Sequence, residues 1–120
     1  MKKLIDICGK TPLIKISESV YGKLETYSPS GSVKDRMVLY VTKKALDRGE
    51  ISEGFTLCDA TSGNTGISLS MTAASLGLKC VIFMPENMSE ERKRMMRIYG
   101  AEIVYAPADD FETAISMRDD

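Results

Sequence analysis

Two short polar segments hold the residues best suited to chemistry. Thr61-Ser62-Gly63-Asn64-Thr65-Gly66 follows an apolar run and precedes a helical pattern. Its two glycines let backbone approach a ligand closely. The N–H groups at the start of the helix make an anion site, and the hydroxyls of Thr61, Ser62 and Thr65 and the amide of Asn64 add fixed polar contacts. A small carboxylate or a phosphate suits this cradle, which lies where parallel α/β sheets usually bind ligands, at the C-terminal end of a strand. A polar strand-to-helix turn that binds nothing has the same composition. The other segment, Pro29-Ser30-Gly31-Ser32-Val33-Lys34-Asp35-Arg36, delivers Lys34 through a flexible loop into the first turn of a helix. The positive end of a helix dipole disfavours a second positive charge. Such a position would raise the neutral, nucleophilic fraction of the amine, with Arg36 acting in the same sense and Asp35 against it. Most lysines in such a position are solvated surface groups.

Several other chemistries lose support. The glycine spacing matches neither GxxxxGK[ST] nor GxGxxG, which argues against phosphoryl transfer and nicotinamide chemistry. The 120 residues contain no histidine, which removes the commonest general base and the commonest zinc ligand, and no metal site is expected. Net charge is −1, from 16 basic and 17 acidic residues, so neither nucleic acid nor an anionic membrane is an expected partner. No apolar run approaches the roughly 20 residues needed to span a bilayer. The opening Met1-Lys2-Lys3-Leu4-Ile5-Asp6 meets an acid too early for a signal peptide. Cys8, Cys58 and Cys80 are odd in number and lack CxxC spacing. They read as reduced thiols of a cytoplasmic protein, with Cys58 and Cys80 buried in apolar strands.

The elements that must position these residues alternate. Leu13–Ile16 and Val20–Glu25 read as short strands, and 33–48 as a helix with Met37, Val41 and Ala45 spaced by four, Val38 and Leu46 beside them, Ser32 as N-cap and Gly49 just past its end. Phe55–Ala60, Lys79–Met84 and Glu102–Ala106 read as buried strands. Helices are expected over 65–76, from a Ser89 cap to Tyr99, and from about Asp109 or Asp110. Met88, Met95 and Met96 read as core packing. Such alternation predicts a parallel sheet with right-handed crossovers. The last helical stretch ends on Asp119-Asp120 without a cap or a following strand, as an interrupted βα unit would.

Taken together, Gly9-Lys10-Thr11-Pro12-Leu13, Lys23-Leu24-Glu25, Pro29 to Arg36, Thr61 to Gly66, Met84-Pro85-Glu86, Met88-Ser89, Glu91-Arg92 and Gly100-Ala101-Glu102 resemble the cysteine synthase (O-acetylserine sulfhydrylase) and cystathionine β-synthase family in order and spacing. The resemblance spans nearly the whole chain. Thr65 favours the β-replacement branch, because the neighbouring threonine dehydratase-like enzymes usually have a histidine after the loop asparagine. Ser28 stands where the family commonly has asparagine.

The resemblance implies an incomplete three-layer α/β/α fold with a mostly parallel sheet, tryptophan synthase β-like (fold-type II), with residues 1–120 as its N-terminal part and the C-terminal part absent. Lys34 would hold pyridoxal 5′-phosphate covalently and abstract the substrate α-proton. Asn64 would hydrogen-bond the cofactor's 3′-oxygen, and Thr61, Ser62, Gly63 and Thr65 would bind the amino-acid carboxylate. The implied reaction exchanges the acetate of O-acetylserine for sulfide, giving L-cysteine. In the family the phosphate-binding glycine loop, the residue facing the pyridine nitrogen, most of the second domain and the homodimer surface lie beyond residue 120. Three readings follow: a truncated enzyme inactive alone, one half of a split enzyme with a complementing C-terminal chain, and a non-catalytic binding module.

Overall fold

The computed structural model describes all residues, 1–120. After a 3-10 turn at Leu4–Asp6, strands β1 (Leu13–Lys15) and β2 (Tyr21–Lys23) form an antiparallel hairpin, and a second 3-10 turn covers Glu25–Tyr27. Helix α1 (Lys34–Asp47) leads into β3 (Thr56–Ala60), α2 (Asn64–Leu76), β4 (Lys79–Pro85), α3 (Glu90–Ile98), β5 (Glu102–Ala106) and α4 (Phe111–Asp119). The three later strands form a parallel sheet in the order β3-β4-β5, with Cys58 opposite Val81 and Phe83 opposite Val104.

The layers follow from the two-residue period of the central strand. Cys80, Ile82 and Met84 share a cluster with Ile67 and Ala73 of α2, Met96 of α3 and Ala101. Phe83 points to the other face and packs beside Ala60, Ala106 and Ala114, the last from α4. Helices α2 and α3 therefore cover one face and α4 the other, which is the expected three-layer arrangement. Met71, Ile82, Met84 and Met96 are fully buried, each worth roughly 1.5–3 kcal/mol relative to an exposed side chain. Met88 and Met95 pack against the same core.

Three helices stop in the same way. Gly49, Gly77 and Gly100 adopt left-handed φ of 70°, 72° and 82°. After α1, the Gly49 N–H donates to Leu46 O and the Glu50 N–H to Ala45 O, which satisfies carbonyls the helix leaves free.

Four expectations need correction. Only β4 is a buried strand: β3 and β5 are sheet edges, so Phe55 is 48% exposed and Cys58 is exposed. The apolar stripe of α1 is not its buried one. Met37 and Val41 are 49% and 60% exposed, whereas Asp35, Val38 and Thr42 are buried, because α1 rests on α2 and not on the sheet. Val33, not Ser32, is the N-cap of α1, although Ser32 Oγ does accept the Lys34 N–H at 3.2 Å. Ser89 sits at the N-cap of α3 but makes no side-chain cap bond.

Candidate active site

Lys34 is the first residue of α1, and it, Asp35 and Arg36 leave the helix in three directions because each residue turns the chain by about 100°. Asp35 points inward and is fully buried. Its carboxylate accepts the Ser30 N–H at 2.9 Å, the Ser30 hydroxyl, and the Ser68 hydroxyl of α2 at 2.7 Å. Arg36 points to the hairpin. Its Nε and Nη2 donate to Glu25 at 2.8 and 2.9 Å, and Nη2 also reaches Gly9 O at 2.8 Å and Thr11 Oγ1 at 3.0 Å. Thr11 donates to Glu25 at 2.7 Å, and Lys23 Nζ donates to Thr11 O at 2.5 Å. Hydrogen bonds from Arg36, then Thr11, hold the Glu25 carboxyl down at about 2. The third direction belongs to Lys34, which is exposed. Its ammonium makes no hydrogen bond or ion pair within the chain, and Asp35 spends its oxygens on the two serines instead.

The second segment lies at the C-terminal ends of the parallel strands, where β3 runs on by one more bond, Thr61 N–H to Phe83 O at 3.0 Å. The chain turns at Ser62-Gly63 and enters α2 at Asn64. The Gly63 N–H leans on Thr61 Oγ1 at 3.4 Å, and Arg92 of α3 donates to Ser62 O at 3.2 Å. A methyl at Gly63 would meet the Arg92 guanidinium at 3.3 Å, and one at Gly66 would meet Met96 Cε at 2.6 Å and Thr61 Cγ2 at 2.8 Å. The backbone amides of Asn64, Thr65 and Gly66 find no acceptor within the chain, as expected of a helix start. Asn64 is exposed and its carboxamide is free of internal partners, while Thr61 is buried and Ser62 and Thr65 are half-buried.

The two segments are brought together by the Asp35–Ser68 bond. Ser68 lies four residues beyond Asn64, on the same side of α2, so the helix start bearing Lys34 stands beside the helix start bearing the loop. A groove of about 170 Å³ lies between α1, β3 and α2, with Met37, Val38, Val41, Cys58 and Thr65 among its lining residues. Sequence reasoning missed Ser68, Ser30, Glu25 and Thr11 as supports of the site. The only signal available was position: Ser30 lies within the lysine segment, Ser68 just beyond the Thr61–Gly66 loop, and Thr11 and Glu25 within two other segments of the resemblance. The donor set fits a carbonyl-bearing cofactor with a ring oxygen: a free primary amine, a free carboxamide and three unpartnered amides. Gly31, Gly49, Gly54 and Gly100 all face open space.

The family described as "Pyridoxal-phosphate dependent enzyme" matches residues 4–119. Cysteine synthase B of Escherichia coli (strain K12) is 47% identical over 111 residues, which cover 87% of this chain and 37% of that protein. Cysteine synthase B of Campylobacter jejuni is 44% identical over 110 residues, 89% of this chain and 37% of the relative. A hydrogen sulfide-producing enzyme from Fusobacterium nucleatum superposes with a TM-score of 0.89 at 36% identity, over 98% of this chain and 40% of that one. An O-acetylserine dependent cystathionine beta-synthase from Helicobacter pylori gives 0.88 at 32%, over 99% and 42%. The chain thus spans a little over a third of the length of the curated relatives it matches.

Proposed function

On the premise that this chain belongs to the family of pyridoxal-phosphate dependent enzymes, we propose that it is the N-terminal part of a cysteine synthase-like β-replacement enzyme, inactive as residues 1–120 alone. The observation that carries this reading is the pairing of two helix starts, one bearing a free lysine amine and the other a free carboxamide and three open amides, tied by the Asp35–Ser68 hydrogen bond.

Pyridoxal phosphate, when bound, supplies an electron sink for negative charge at the substrate α-carbon. Lys34 would hold the cofactor through its amine, and the same amine would take the substrate α-proton, which removes any need for histidine. Asn64 would donate its amide N–H to the ring oxygen. Thr61, Ser62, Gly63 and Thr65, with the open amides of α2, would grip the substrate carboxylate. In the net reaction the C–O bond to acetate breaks and a C–S bond to sulfide forms, so that O-acetylserine and hydrosulfide become L-cysteine and acetate. The phosphate grip, the partner of the pyridine nitrogen, the homodimer surface and a cytoplasmic location belong to the same proposal.

One observation favours the split-enzyme reading as a second possibility. The free edge of β3, with Cys58 exposed, shares a groove with the exposed Met37 and Val41 of α1. That surface suits a complementing chain.

Borohydride trapping tests the assignment. The chain is incubated with pyridoxal phosphate, reduced, digested and mapped by mass spectrometry beside Lys34→Ala. A dominant adduct on Lys34, lost in the variant, is expected. Equal labelling spread over many lysines would sink the Schiff-base role in this chain.

A further inference from the structure

We propose that Asp35 is a positioning residue, which fixes the backbone of Lys34 against α2 by holding the 30–34 turn through Ser30 and Ser68. The inference deepens the assignment of Lys34 above and rests on it.

Asp35 is a fully buried acid with no lysine or arginine beside its carboxylate. Burying a charge in that way is costly unless donors replace the lost water. Three donors do so, and they come from two places. Ser30 supplies its N–H and its hydroxyl from the loop before α1, and Ser68 supplies its hydroxyl from α2. The carboxylate therefore joins the loop that delivers Lys34 to the helix that begins with the Thr61–Gly66 turn. The other hydrogen bonds of this loop are local: Gly31 N–H reaches Ser28 O at 2.8 Å and Lys34 N–H reaches Ser32 Oγ at 3.2 Å, and neither extends to α2. Gly31 adopts φ +87° and has open space around it, so its own packing supplies no restraint. Neighbouring Lys34 needs such a tether because a reactive amine misplaced by an ångström loses most of its advantage. The chemistry of the clamp also predicts which substitution can replace it. The amide of an Asp35→Asn side chain still accepts from the Ser30 N–H with its oxygen, and its NH₂ donates to the two serine hydroxyls, which rotate to accept. Position is kept and charge is lost.

The test compares wild type, Ser68→Ala, Asp35→Ala and Asp35→Asn by two readouts on the chain as it stands. Amide hydrogen exchange over 29–34 reports the clamp without any cofactor. The fraction of borohydride-trapped label on Lys34, relative to the other lysines, reports position. Ser68→Ala is expected to speed exchange over 29–34 on the order of tenfold, the worth of one lost hydrogen bond, and to cut the Lys34 share of the label. Asp35→Asn is expected to preserve both. Unchanged exchange in Ser68→Ala overturns the clamp. Faster exchange with an undiminished Lys34 share overturns the positioning role, and equal losses in Asp35→Asn and Asp35→Ala overturn it in favour of a charge effect. If Asp35→Ala does not fold, Ser68→Ala and Asp35→Asn still decide the question. Wild type that never labels Lys34 preferentially defeats the cofactor assignment instead, while the exchange readout continues to test the clamp.

Discussion

Ser68 Oγ and Asp35 Oδ1 lie 2.7 Å apart although 33 residues separate them in the chain. This buried contact sets α1 against α2 and places the lysine-bearing helix start beside the carboxylate-binding candidate loop. On its other side, α1 is tied to the hairpin through Arg36, Glu25, Thr11 and Gly9. Lys34 is therefore followed by two anchored residues, Asp35 and Arg36, and remains free itself.

The identity of the buried stripe on α1 is open to direct test. Val38 is 5% exposed and Val41 60%. Val38→Ala is expected to cost on the order of 1–3 kcal/mol through the cavity it leaves. Val41→Ala should stay within about 0.5 kcal/mol, as exposed substitutions do. Urea midpoints measure both, and the reverse ranking would restore the Met37–Val41–Ala45 stripe as the core face.

Gly66 has no room for a side chain. A methyl there would lie 2.6 Å from Met96 Cε and 2.8 Å from Thr61 Cγ2. Met96 is fully buried and has little space to retreat. Gly66→Ala is expected to destabilise by about 1–3 kcal/mol, the usual cost of overpacking, with the disturbance centred on Thr61. A thermal melt equal to wild type would show that Met96 moves freely.

Glu25 links folding to pH. Its carboxyl is held at about 2 in the folded chain, against an ordinary value of 4.5, by hydrogen bonds from Arg36 and Thr11. A depressed folded value means that the contribution is complete above about 4.5 and is lost as pH falls toward about 2. Glu25→Gln should therefore flatten the acid limb of stability in that window and leave the slope near pH 7 unaltered. An acid limb identical to wild type would remove Glu25 from the account.

The three cysteines should separate in reactivity. Burial pushes the Cys80 thiol up to about 11, and burial, followed by the charge of Asp35, does the same for Cys8. Cys58 is exposed on the edge strand and lines the groove with Met37 and Val41. A thiol reagent at neutral pH is expected to label Cys58 first and Cys80 only on unfolding, since the thiolate is the reacting species. Labelling of Cys80 at the rate of Cys58 would contradict the placement of β4 at the centre of the sheet.

Much of the molecule is governed by neighbours in sequence and was legible there. The glycines at 49, 77 and 100 end helices because a left-handed residue closes the last turn. The run Lys79–Met84 is legible as a buried strand, although its continuous apolar residues leave to the structure which layer Ile82 and Phe83 each meet. The two polar segments likewise announced a lysine at one helix start and a polar turn at another. Tertiary structure alone decided which face of α1 is core, because periodicity reports a stripe and not the surface that meets it. Here that surface includes Ser68 and Thr72, both fully buried on α2, and the mixed Asp35–Val38–Thr42 stripe is buried in preference to Met37 and Val41. It also decided that Cys58 is open, since burial of a strand depends on its place in the sheet. Above all it closed the Asp35–Ser30–Ser68 and Arg36–Glu25–Thr11 networks. A buried charge is tolerable only where distant donors converge on it, and that convergence is a property of the fold rather than of any segment.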